Sequence, residues 1–246
     1  TVSVKTDGTL WAWGDNSNGI LSIVMPGYSS VSSPILVDSS TNWAVTDPSV
    51  LPGNLAGAQA KHMMAVKQNG TLWGWGFNSD GELGWPVPFD GLNRSVATQI
   101  GALTNWKQVT GGAFNTMGIK TDGTLWAWGY NGTGGLGIGN TTNVQSPVQV
   151  GGATNWSQIA CGNYWALAIN TAGQLWACGY AGRGNLGLPT TVAVSTFVQV
   201  GTLTNWKQVA TNGGYGASVA IKTDGTLWAW GSNSDGQLGN GNNQNQ

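Results

Sequence analysis

A seven-residue phrase recurs five times and sets what this chain can fold into. Gly8 to Gly14, Gly123 to Gly129 and Gly225 to Gly231 read GTLWAWG; Gly70 to Gly76 reads GTLWGWG and Gly173 to Gly179 reads GQLWACG. The first glycines are 62, 53, 50 and 52 residues apart. A period of this size denotes an array of like units, each covering its neighbour's apolar face. Four copies open on Asp7-Gly8, Asn69-Gly70, Asp122-Gly123 and Asp224-Gly225, while Ala172-Gly173 keeps only the glycine. Such pairs suit a tight hairpin turn, because glycine accepts positive φ without strain. The flanks, such as Met117-Gly118-Ile119 before and Leu125-Trp126-Ala127-Trp128 after, favour strands. Two tryptophans two residues apart share one face of a strand. The small residue between them faces the other way, where a neighbouring sheet can approach closely.

Two further signatures complete the unit. Thr-Asn-Trp occurs at Thr41–Trp43, Thr104–Trp106, Thr154–Trp156 and Thr204–Trp206, each time opening a short β-like segment. Asn-x-x-Gly-x-Leu-Gly follows the phrase at Asn78–Gly84, Asn131–Gly137 and Asn233–Gly239, with drifted copies at Asn16–Ser22 and Ala181–Gly187. A polar loop then leads to a last short strand, expected at Pro34–Val37, Val96–Ile100, Pro147–Val150 and Phe197–Val200. No helical period is sustained over ten residues. The expectation is an all-β chain, a β-propeller of four-stranded blades with five blades visible. The first and last are incomplete, giving 18 strands. Residues 1–246 are taken as a single propeller-type repeat domain with units of about 1–40, 41–100, 101–150, 151–200 and 201–246. A closed five-blade ring and a part of a larger ring both stay open. The unmatched first and last units favour a missing portion or completion by another chain.

These motifs resemble the regulator of chromosome condensation repeat family. Its unit pairs Gly-x-x-His-Thr and an apolar strand with Asp-Gly-x-hydrophobic-x-x-Trp-Gly and Asn-x-x-Gly-Gln-Leu-Gly. Asn233–Gly239 and the Trp-Gly endings match well. The resemblance implies a propeller, commonly of seven blades. The histidine is kept only as His62; eight residues before the other turn glycines stand Asn115, Trp165 and Ala217. Roles implied by the family include nucleotide exchange on a small GTPase, chromatin contact, accessory domains of ubiquitin ligases and structural parts of virions.

Charge narrows the function classes. Only 8% of residues are charged and the net charge is −1, against roughly 25% charged in an ordinary soluble domain. Nucleic acid is not expected as a partner, since no basic patch is available to track phosphates. No apolar run reaches the ~20 residues of a membrane helix, so membrane insertion is not expected. Cys161 and Cys178 are expected as buried free thiols, on strands of one blade with another strand between them.

No catalytic, metal or cofactor constellation is expected. His62 reads as a structural bond to a neighbouring turn, and Asp7, Asp122 and Asp224 read as turn residues. Binding candidates are the loop aromatics Trp85, Phe89, Tyr28, Tyr130 and Tyr180, with Asp47 and Arg94 as charges in two insertions, Thr46–Gly57 and Gly84–Ser95. Exposed rings mark protein or sugar contacts, and they also cap the small cores of loops. The main reading is a non-enzymatic structural or protein-interaction module, such as a virion or cell-surface component. Its partners would be proteins, including copies of itself or other components of an assembly. The alternatives are an intracellular protein-binding propeller, a carbohydrate-binding module, and guanine nucleotide exchange on a small GTPase.

Overall fold

The computed structural model describes residues 1–16, 18–22, 30–43, 55–56, 61–85, 90–212, 214 and 216–246. Among the described residues there are 18 strands in five antiparallel sheets. The first sheet is β1 (Val2–Val4), β2 (Leu10–Asp15) and β3 (Ser30–Asp38). The second is β4 (Leu55–Ala56), β5 (His62–Val66), β6 (Leu72–Gly76) and β7 (Arg94–Gln99). The third is β8 (Trp106–Gly111), β9 (Asn115–Lys120), β10 (Leu125–Gly129) and β11 (Val144–Gln149). The fourth is β12 (Trp156–Cys161), β13 (Trp165–Asn170), β14 (Leu175–Gly179) and β15 (Val194–Gln199). The fifth is β16 (Trp206–Thr211), β17 (Ala217–Lys222) and β18 (Leu227–Gly231). Each sheet is one propeller blade, and strands pair in chain order within it. β8 runs beside β4 and β5, β12 beside β8 and β9, and β16 beside β12 and β13. The opening strands of successive blades therefore lie against one another.

Both faces of the Leu-Trp-Ala-Trp strand are used as its pattern requires. In the third blade Trp106 meets Trp126 edge-on at 6.3 Å and Trp128 at 5.8 Å. This trio packs on Met64, Leu72, Leu83 and Ile100 of the second blade. Gly118 makes room for it, since a Cβ there would stand 2.7 Å from the Trp106 ring. On the other face, Leu125 and Ala127 join Met117 and Ile119 against Trp156 and Ile159 of the fourth blade. Similar trios form from Trp43, Trp73 and Trp75 and from Trp206, Trp228 and Trp230. The fourth blade has Cys178 in place of the second indole, and Phe197 closes on Trp156 at 5.3 Å instead.

The turns follow the sequence reading. Gly70 and Gly123 have φ of 76° and 78°, and a Cβ on Gly123 would stand 2.1 Å from the Thr154 carbonyl oxygen. The Thr-Asn-Trp segment of each following blade thus seats directly on the preceding turn. Fourth strands begin earlier than expected, at Arg94, Val144 and Val194. A bulge opposite Ala127 and Gly129 shifts the register and lets the polar residues pair. Gln246 exchanges both backbone hydrogen bonds with Gly231, the pairing that starts β11 against Gly129. Cys161 and Cys178 are buried free thiols on β12 and β14, with Ala166 of β13 paired between them. On the outer flank of the fifth blade Leu227 is 68% exposed, whereas Leu72 and Leu125 are fully buried.

Candidate functional site

In a four-stranded meander the first and third connections fall at one end of the blade and the Asp-Gly turn at the other. The turn end is held by local chemistry. Asp122 accepts the backbone N–H and hydroxyl of Thr124, whose oxygen accepts the indole N–H of Trp126. Lys120 lies 3.5 Å over that ring, as Lys5 does over Trp11. Hydrogen bonds from Thr124 and Thr9 hold the Asp122 and Asp7 carboxyls below the usual carboxylate range.

At the loop end, Asn-x-x-Gly-x-Leu-Gly is a knot. The Asn78, Asn131 and Asn233 side-chain oxygens accept the backbone N–H of Leu83, Leu136 and Leu238. The knot also receives the next blade. Trp75 donates to the Ile20 carbonyl, Trp128 to that of Glu82 and Trp230 to that of Asn185. His62 adds a bolt between blades two and three. Its Nε2 is 2.8 Å from the Thr116 hydroxyl, which donates to the Glu82 carbonyl at 2.7 Å. The hydroxyl has one proton, so the ring must donate from Nε2 and leave Nδ1 unprotonated. Burial lowers the His62 pKa to about 3, keeping the ring neutral. The bond expected to a neighbouring turn goes instead to Thr116 on strand β9 of the next blade, and only through that hydroxyl to the Glu82 carbonyl in the loop.

The fourth blade departs from this pattern, and a groove lies there. Trp165 stands at the histidine position, Cys178 at the second indole and Ala181 at the knot asparagine. A groove of about 370 Å³ is lined by Tyr130, Tyr164, Trp165, Tyr180 and Arg183, with Thr133, Asn163, Gly214 and Gly216 between them. Tyr130 and Tyr180 directly follow the repeated phrase; Tyr164 stands nine residues before its turn glycine, where the third blade has Phe114. Tyr130 meets Tyr164 edge-on at 5.7 Å, and Tyr164 stacks on Phe114 at 5.9 Å. Lys61 continues the row, 5.7 Å over Phe114 and 5.3 Å over Phe77. The Tyr130 and Tyr180 hydroxyl ends fold over Gly132 and Gly182, where added Cβ atoms would lie 2.2 and 2.3 Å from them. The Arg183 stem rests on Gly216 across the groove.

The structure thus brings Tyr130 and Tyr180 together, with Phe114 and Tyr164, which the sequence reading did not single out. Trp85 and Arg94 meet elsewhere. Arg94 lies 5.2 Å over the Trp85 ring and pairs with Asp90. Trp85 packs on the core between blades two and three, at the repeat position held by Ile138 and Leu188 in the next two blades. Tyr28, Phe89 and Asp47 lie outside the described residues, as do most of Thr46–Gly57 and part of Gly84–Ser95. Among the described residues there is no cluster of three His, Cys, Asp or Glu side chains suited to a metal ion, and no helix long and apolar enough to cross a membrane.

Comparison with known proteins places this geometry. Residues 122–169, and residues 106–134 and 206–237 in a second profile, match the Regulator of chromosome condensation (RCC1) repeat. The chain is built of RCC1 repeats. It is 32% identical over 189 residues to the Ultraviolet-B receptor UVR8 of Arabidopsis thaliana, covering 75% of this chain and 42% of the receptor. It is 38% identical over 81 residues to the human E3 ubiquitin-protein ligase HERC2, covering 32% of this chain and 2% of the ligase. The RCC1 fold extends over nearly all of it. Yeast RCC1 (Prp20), solved bound to Kap60, superposes with a TM-score of 0.81 at 21% identity over 99% of this chain and 56% of that one. Human WBSCR16 gives 0.75 at 21% identity, over 94% and 59%. The chain therefore spans only part of the RCC1-repeat proteins it matches.

Proposed function

We propose that the chain is a non-catalytic protein-binding RCC1 propeller whose contact surface is the loop end of blades two to five, centred on the Tyr130–Tyr164–Tyr180 groove. The observation that carries this reading is the convergence of three tyrosines and Arg183 around Trp165, at the repeat position where the second blade has its His62 bolt. Tyr164 and Tyr180 stay 37% and 38% exposed. Aromatic and arginine side chains of that kind anchor protein partners. Proteins of the same repeat point the same way: yeast RCC1 has been solved with Kap60, and the binding of Prp20p to Gsp1p and histones has been described. The intracellular-type binding propeller is thus favoured over the virion or cell-surface component, which rests on composition alone. A carbohydrate module and nucleotide exchange are the lesser readings: exposed rings suit a sugar as well as a protein, and it is the protein partners of the similar structures that favour the protein.

Site-specific photo-crosslinking tests this. A crosslinker at residue 180 is expected to capture a protein partner, and one at exposed Lys107, at the turn end, is not. Capture confined to residue 107, or unaffected by Tyr164→Ser with Tyr180→Ser, would place the contact surface elsewhere.

A further inference from the structure

The groove restricts what enters it. Its walls are tyrosine rings, one polar flank is Arg183, and its base includes Trp165, only 2% exposed. The indole N–H of Trp165 and the side-chain oxygen of Asn163, one donor and one acceptor, have no hydrogen-bond partner among the described residues, and both atoms are themselves buried. A strand cannot add to the sheet here, because β13 and β14 are paired on both edges. A helix about 10 Å across does not fit a groove of about 370 Å³. An aromatic cage for an ammonium group is disfavoured by the guanidinium in its wall. What fits is a narrow, extended segment that packs against the rings and brings few N–H groups of its own, because the tyrosine walls offer few acceptors and the Asn163 oxygen is buried. Polyproline II has that character: it lacks internal hydrogen bonds and proline lacks the donor. Aromatic-lined grooves recognise it through ring-on-ring packing.

Resting on the protein-binding reading above, we infer that the Tyr130–Tyr164–Tyr180 groove takes a proline-rich segment in the polyproline II conformation, with a carboxylate placed beside Arg183. The rings grip the prolines, and Arg183 sets the direction and the preference for an acidic neighbour. Gly132 and Gly182 belong to the device, because they let Tyr130 and Tyr180 lie down over their loops and shape the walls.

The probe is the capped peptide PPPPEPPPP, titrated into the full chain with tryptophan emission and calorimetry as readouts. Saturable binding is expected, with a dissociation constant on the order of 100 µM for so small a contact. Replacing the glutamate by lysine should weaken it roughly fivefold, and replacing the prolines by alanine should abolish it. Tyr164→Ala and Tyr180→Ala should each weaken it roughly tenfold, while Tyr164→Phe and Tyr180→Phe, which keep the rings, retain most of it. Arg183→Gln, at an exposed side chain, should erase the difference between the glutamate and lysine peptides. Equal binding of the alanine peptide, or no saturation by about 1 mM, overturns the inference. If crosslinking at residue 180 still captures a partner in that case, the binding surface stands and only the ligand class falls. If both fail, both fall.

Discussion

Trp128 donates its indole N–H to the carbonyl of Glu82, 2.8 Å away and one blade back. Trp126, two residues earlier on the same face, donates instead to Thr124 of its own turn. The two indoles of one phrase thus do different jobs: one ties blades together, the other stiffens a hairpin.

Trp128→Phe removes the tie and leaves a small void in a fully buried site. A loss of about 2–3 kcal/mol is expected. Trp126→Phe, at a half-buried ring, should lose about 1 kcal/mol or less. Urea unfolding followed by circular dichroism separates them; equal losses contradict the assignment.

Glu82 is buried, accepts one bond from the Asp80 N–H, and its other carboxyl oxygen has no partner among the described residues. Burial pushes its pKa from 4.5 up to about 7. The folded value is raised, so its contribution is complete below pH 4.5 and lost as pH climbs through about 7. Glu82→Gln should flatten that slope and add on the order of 2–3 kcal/mol at pH 8. Gln237 already makes the equivalent bond to the Asp235 N–H in the fifth blade. Melting temperatures at pH 5 and pH 8 decide the matter; a variant with the wild-type slope refutes it.

Gly123 and Gly225 share the same turn, with φ of 78° and 85°. A Cβ on Gly123 strikes the Thr154 backbone, while one on Gly225 meets nothing within 4 Å among the described residues. Gly225→Ala should therefore lose only the conformational strain, about 1 kcal/mol. Gly123→Ala should lose about 3 kcal/mol or more. Thermal denaturation of the pair measures how tightly one blade sits on the last.

Both thiols are buried, and burial raises their pKa values. Dithionitrobenzoate should leave Cys161 and Cys178 untouched in the native chain and titrate both in urea. Fast reaction of either before unfolding would show that the core between blades three and four opens readily.

The blades were legible in the sequence because turn chemistry and strand alternation agree at every copy. Asp-Gly placed the hairpins, and Trp-x-Trp placed the packed faces. The fourth strands were misjudged at their starts because Val144 and Val194 enter across a bulge, which alternation does not reveal. The groove was half legible. Tyr130 and Tyr180 stand out as aromatics beside the end of a repeated phrase, whereas Phe114 and Tyr164 read as ordinary residues leading into apolar strands. Aligning each unit on its turn glycine shows them as one repeat position, shared with Lys61, and that alignment was the available signal. Trp85, named among the loop aromatics for its size, also packs on the core between blades two and three, at the repeat position of Ile138 and Leu188.

Four junctions join the five blades of this array, and at each of them the turn glycine of one blade lies against the Thr-Asn-Trp segment of the next. Because each blade is held by its neighbours, amide exchange should run slowest in β9 and β13, which are paired on both edges inside sandwiched blades. A lesion at one seam would then loosen the two blades that share it before it reached the others.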